Sequence, residues 1–228
     1  MKLYTIHYTL YTFLLSLMLV GCQLIPESDR LIPVKTGDQR HVLLEFTGFR
    51  CVNCPDAAET AANLKALYGD SLILIALHPA SNPFTQGAYD YTCPEADSIY
   101  QLLGGEPTTP FPTGSVDMRL FENGYFVNPD QWASKLITND QSPITNISDT
   151  SYWLVEDSIC GPQAMSDGTV NMSYYHRHVL RAISNQPFAS IPDKCNPAHC
   201  TVVTIYSDQT KQIIDAYETS WTTFSTTP

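Results

Sequence analysis

The chain has 228 residues, 43% apolar and 15% charged, and its 23 acidic side chains outnumber 12 basic ones to give a net charge of −11. That length admits one large or two small domains. The acidic surplus argues against nucleic acid and an anionic lipid surface as partners.

Reading from the N-terminus, Lys2 precedes an apolar stretch that is densest over residues 13–20 and ends in Gly21 and Cys22. The stretch is too short to span a bilayer comfortably, which points to a cleaved export signal over residues 1–21. Its ending, Leu19-Val20-Gly21-Cys22, resembles the bacterial lipobox, which implies cleavage before Cys22 and lipid attachment to that residue. Several acyl chains hold a protein stably at a membrane, since each buried methylene contributes about 0.8 kcal/mol. The expected address is the cell envelope, as an outer-membrane lipoprotein facing the periplasm or the surface. Residues 22–40 carry two prolines and several charges with little periodicity, and read as a tether.

"HVLLEFTG" (41–48) is apolar enough for a buried strand. From Cys51 to Tyr68 the spacing turns helical, with Ala57, Ala61, Leu64 and Tyr68 on one stripe and Gly69 as the stop. "SLILIALHP" (71–79) reads as a central strand covered on both faces. A polar, turn-rich insertion (80–93) leads to a helix over Glu95–Leu103, and a short strand starts at Thr113 after a proline-rich loop. Asn128-Pro129-Asp130 opens a last helix, and the alternation of strands and helices over 41–140 predicts an α/β domain. After residue 140 the pattern changes. Segments 151–159, 170–183, 200–208 and 212–221 alternate and carry aromatic and β-branched residues, which predicts a small antiparallel β domain over 141–228. Asp208–Lys211 is the expected connection between its last two strands.

Cys51-Val52-Asn53-Cys54 is the one turn with evident chemistry. A cysteine at a helix N-terminus faces unpaired N–H groups and the positive end of the dipole, which favours thiolate. Cys51 takes that place beside Arg50, with Cys54 able to resolve a mixed disulfide. Asp56 and Glu59 oppose the effect in part. Glu45 lies within the apolar first strand, either as a buried proton acceptor near Cys54 or as a strand-edge residue turned to water. In "TPFPTG", Pro112 is the candidate for a cis bond whose loop lies against the Cys51–Cys54 turn.

With these residues in place, 41–140 resembles the thioredoxin fold, and Glu45 stands at the spacing of its buried acid. "LLEFTGFRCVNCP", "IALHP", "FPTGSVD" and "YWLVEDSI…PQ…YYHRHVLRAI" resemble the 28-kDa outer-membrane lipoprotein family of Bacteroides-type bacteria. That resemblance implies the fold more than a reaction. Phe49-Arg50 and Val52-Asn53 replace the usual thioredoxin Trp and Gly-Pro, which counts against strong reductase activity. Asp97-Ser98-Ile99 and Asp157-Ser158-Ile159 resemble the O-glycosylation signal of the same bacteria.

Lipidation of Cys22 leaves six cysteines, an even number that fits pairing in an exported protein. Cys195–Cys200 reads as a local disulfide, which leaves Cys93–Cys160 by elimination. A zinc site could be drawn from Cys51, Cys54, Cys195, His199 and Cys200, but its halves fall in different predicted domains. His176 and His178 share one face of a predicted strand without an obvious third ligand. No metal or cofactor is expected, and no Cys-x-x-Cys-His run marks a c-type haem. The expected partners are the membrane, through the N-terminal lipid, and exported or envelope proteins. Two functions stay open: a tethered thiol–disulfide oxidoreductase, or an envelope binding or assembly module in which Cys51–Cys54 is a structural disulfide.

Overall fold

The computed structural model describes residues 39–89, 91–139 and 147–226. β1 (His41–Phe46) and β2 (Leu72–Leu77) are continuous apolar runs, and every residue of both is buried. Strands of that composition are stable only when covered on both faces. They pair in parallel, Glu45 opposite Ala76. The crossover between them is α1 (Cys54–Tyr68), whose buried residues include the expected Ala57, Ala61, Leu64 and Tyr68. Gly69 ends α1 with φ of 57°, a conformation that favours glycine.

The opposite face of β1 and β2 presents Val42, Leu44, Phe46, Ile73, Ile75 and Leu77 to the main core. Ala96, Ile99 and Tyr100 of α2 (Pro94–Leu102) pack into that core. β3 (Thr113–Val116) runs antiparallel to β1 at the edge of the sheet. Gly114 is required there, because a Cβ would come 2.7 Å from the Trp132 indole nitrogen. Trp132 opens α3 (Trp132–Asn139), is fully buried, and donates to the Val127 carbonyl at 2.9 Å.

The segment after residue 140 corrects the expected division into two domains. β7 (Val179–Ser184) pairs in parallel with β2 at Ala76–Val179, and the Ala76 N–H donates to the His178 carbonyl at 2.7 Å. β4 (Asp149–Glu156), β8 (Cys200–Ser207) and β9 (Ile213–Ser220) follow antiparallel, giving one seven-stranded sheet in the order β3-β1-β2-β7-β4-β8-β9. The described residues all fall within one compact unit. The physical reason is the apolar edge of β2, which an isolated 41–140 unit would leave unpaired. The sheet also curls. Ile213 of β9 donates to the Asp117 carbonyl, just beyond β3, at 2.8 Å. Arg40, at the start of β1, lies over the Tyr217 ring at 4.0 Å. Val203, Ile205, Ile213 and Ala216 thereby share the core of β1 and β2.

Two strands stand apart. β5 (Ile159–Ala164) and β6 (Val170–His176) form an antiparallel hairpin of their own between β4 and β7. The expected strand over 170–183 is therefore two strands, broken where His178 takes φ of 55°. A short helical turn, α4 (Trp221–Phe224), closes the described chain.

Candidate functional site

β1 ends in Thr47 and Gly48, and the chain then folds into the cysteine turn. The Cys51 N–H donates to the Gly48 carbonyl at 2.9 Å, and the Cys54 N–H to the Cys51 carbonyl at 3.3 Å. Cys51 and Cys54 are joined as a disulfide, with Cα atoms 5.4 Å apart. α1 begins at Cys54, so Cys51 precedes the helix instead of occupying its first position. Asn53 caps it through backbone position only, and Pro55 sits in the first turn, where no N–H is needed.

Both cysteines are buried, Cys51 at 1% and Cys54 at 2% exposure. Two segments cover the turn. From the 80–93 insertion, the Phe84 carbonyl accepts from the Arg50 N–H at 3.0 Å. Gly48 permits that approach, since a Cβ would meet the same oxygen at 2.5 Å. From the β5–β6 hairpin, Gln163 is buried and its Nε2 donates to the Cys51 carbonyl at 2.8 Å and the Ala164 carbonyl at 3.0 Å. The Ala164 N–H donates to the Phe49 carbonyl at 2.7 Å. Nothing local in the sequence marks Gln163. Its partner lies 112 residues away, so no local pattern could assign it a role.

Beside the turn opens a cleft of about 420 Å³, walled by Cys54, Glu45, His78, Gln163 and His176 and flanked by α1 and β6. Glu45 is 8% exposed, and its Oε1 has no hydrogen-bond partner. Burial pushes its carboxyl up to about 8, so it is mostly protonated at neutral pH. Of the two orientations open from sequence, the buried one is observed. His78 is buried with its Nδ1 unpartnered, and burial, with His176 and Arg181 nearby, holds its imidazole well below the usual range. Burial likewise lowers His176 to about 4, partly offset by the Pro162 carbonyl 3.2 Å from its Nε2. The His78 and His176 rings lie 5.8 Å apart, and Tyr91 and Tyr174 flank His176 at 4.3 and 5.0 Å. The deep polar groups of the cleft are thus uncharged at neutral pH.

The remaining candidates divide. The Phe111–Pro112 bond is cis, and Thr113 pairs opposite Phe46, so Pro112 stands beside the end of β1 from which the cysteine turn departs. His176 and His178 do not share a strand face: His178 lies beyond β6, 3.4 Å from the Asp157 carboxylate. The expected pairings Cys195–Cys200 and Cys93–Cys160 are absent, all four being free thiols. Cys93 is buried in the main core while Cys160 is exposed on β5. Cys195 and Cys200 sit in a separate cluster with Leu154 and Val202. Burial pushes Cys93 and Cys200 up to about 12, which keeps them thiols at neutral pH. The drawn zinc constellation is not assembled, because Cys51 and Cys54 bond each other and Cys195 and Cys200 lie in that other cluster. Among the described residues no group of three His, Cys, Asp or Glu is placed to hold a metal. Cys22 lies outside the described residues.

No protein-family profile matches the sequence, and no curated protein matches it. Among solved structures, HBP35 of Porphyromonas gingivalis is similar at 16% identity, over 80% of this chain and 75% of that one, with a TM-score of 0.58. A crystal structure of an Agrobacterium tumefaciens protein is similar at 12% identity, over 78% and 92% of the two chains, with a TM-score of 0.46. At these identities the likeness to HBP35 concerns the fold alone. The fold is mixed α/β, consistent with a thioredoxin-like fold. No described helix is long and apolar enough to cross a membrane.

Proposed function

We propose that the protein is a thiol–disulfide oxidoreductase of the bacterial cell envelope, tethered by lipid at Cys22 and working through Cys51 and Cys54. The observation that carries this reading is Glu45, a buried carboxyl with an unpartnered oxygen in the wall of a cleft that Cys54 also lines. An unsatisfied buried carboxyl oxygen costs about 1–3 kcal/mol, and groups left in that state cluster at functional sites. A carboxyl poised near 8 matches the proton exchange of a thiol, whose ordinary value is about 8.5. In this reading Glu45 accepts and returns thiol protons, and Pro112 borders the substrate's approach. The narrower kinship to the 28-kDa outer-membrane lipoproteins belongs to the same proposal.

A second reading is favoured by one observation: both cysteines are almost fully buried and clasped by two segments. In that reading Cys51–Cys54 is a structural disulfide and the fold a scaffold for binding or assembly. Substitution separates the two. In the oxidoreductase, a single-cysteine variant of the pair accumulates mixed disulfides with envelope proteins, separable on non-reducing gels. Absence of such adducts from both Cys51→Ala and Cys54→Ala supports the scaffold.

A further inference from the structure

We propose that the distal half of the β5–β6 hairpin is a lid that seals the Cys51–Cys54 disulfide and must lift before either sulfur is attacked. This rests on the oxidoreductase reading and adds a control of access to the same site. Thiol–disulfide exchange requires that the attacking sulfur reach the bond, yet Cys51 is 1% and Cys54 2% exposed. The hairpin has a fixed half and a loosely held one. Its base, Ile159–Gly161 against Tyr174–His176, is seated on the core. The His176 ring lies 4.3 Å from that of Tyr91, and a Cβ at Gly161 would overlap the Tyr91 hydroxyl. Asp157 closes the base by accepting from the His178 N–H at 2.8 Å. Between Gly161 and Gln163 the register slips. There Pro162 has no N–H to offer the ladder, and the Ser173 N–H donates to Asn171 Oδ1 at 2.9 Å instead. A strand bends at such a bulge.

Beyond the bulge the attachment is slight. Pro162 and Gln163 are buried, but residues 166–173 are exposed, Val170 and Met172 by more than half. The tip bonds to itself, Met165 N–H to the Thr169 carbonyl at 2.9 Å and Gly168 N–H to the Met165 carbonyl at 3.0 Å. Among the described residues, its hydrogen bonds to the rest of the chain run to the cysteine turn. Gln163 Nε2 donates to the Cys51 carbonyl at 2.8 Å and to that of Gly48 at 3.5 Å, and the Ala164 N–H donates to the Phe49 carbonyl. Lifting the tip breaks these few bonds. It also lets water into the cleft that Gln163 and Asn171 wall, where Glu45 Oε1 and His78 Nδ1 are buried without partners. Relief of those unsatisfied atoms offsets part of the loss, so the lid opens at a lower free energy than the sheet beneath it.

The test follows reduction of the oxidised full chain by dithiothreitol, with acid quenching and thiol alkylation, in urea below the unfolding transition. One dithiothreitol thiolate attacks the disulfide and its second thiolate releases the mixed disulfide. Two electrons and two protons pass to Cys51 and Cys54, and cyclic dithiothreitol disulfide is left. The rate is expected to rise with urea far less steeply than global unfolding, and the Ala164 amide to exchange with deuterium on the same shallow slope, ahead of β1 and β2. Gln163→Ala is expected to speed reduction and the reverse oxidation alike, each on the order of tenfold, with the equilibrium unchanged within about twofold. An unchanged rate in Gln163→Ala, a gain in one direction only, or a urea slope as steep as unfolding overturns the lid. The slope is read on the unaltered chain and decides the matter even if the variant fails to fold. A pair that dithiothreitol reduces through this opening but glutathione cannot reduce overturns the oxidoreductase reading and leaves the lid standing.

Discussion

Glu45 shows what one misplaced-looking residue does. It interrupts an apolar strand, and the fold buries it with one oxygen unpartnered and its carboxyl raised to about 8. The sign of its effect on stability follows. Between its ordinary value near 4.5 and about 8 the folded chain holds a proton that the unfolded chain releases, so stability falls as pH rises through that window. Below it the penalty is absent. His78 and His176, both lowered, act oppositely at more acidic pH, so the effect is isolated by comparison. Glu45→Gln is expected to remove a loss of a few kcal/mol between pH 5 and pH 8, measured by denaturant unfolding of the two oxidised proteins. An identical pH dependence in both would show that Glu45 is not buried as the acid. Gln163 is the companion case. Gln163→Ala leaves the buried Cys51 carbonyl without its 2.8 Å donor and is expected to destabilise the fold by roughly 1–3 kcal/mol, read from the urea midpoint.

At the scale of elements, the covering of the cysteine turn depends on close backbone contact. Gly48→Ala would drive a methyl into the Phe84 carbonyl, and is expected to cost about 1–3 kcal/mol and to loosen the 80–93 insertion, detectable as faster proteolysis there. Protection equal to that of the original chain would show that this contact does not hold the insertion down. The same scale explains what the sequence reveals. β1, β2 and α1 are legible because each satisfies one strong rule: an unbroken apolar run in the strands, a 3.6-residue stripe ended by glycine in the helix. β5 escapes because Cys160-Gly161-Pro162-Gln163 reads as loop, its strand geometry being imposed by pairing with β6. The break between β6 and β7 escapes because Arg177 and His178 carry no turn signal, although His178 takes a left-handed conformation. Of the site, Cys51, Cys54, Glu45 and Pro112 stand in the sequence. His78, Gln163 and the cleft arise only when the hairpin folds back over α1.

For the whole molecule, the consequence of the single curled sheet is mutual dependence. β2 is completed by β7, and residues from β1 to β9 share one core. A chain cut at residue 140 is therefore expected to lack cooperative unfolding by circular dichroism, and a stably folded 35–140 fragment would contradict the one-sheet architecture. At the membrane, Cys22→Ala is expected to abolish metabolic labelling with palmitate and normal signal removal, and undiminished labelling would refute lipid attachment there. The direct test of function is the reduction potential of the Cys51–Cys54 pair, equilibrated in the full chain against glutathione or dithiothreitol. A value between about −120 and −270 mV, the range of catalytic pairs, is expected of an oxidoreductase, whereas a value below about −300 mV would mark a structural disulfide and contradict it.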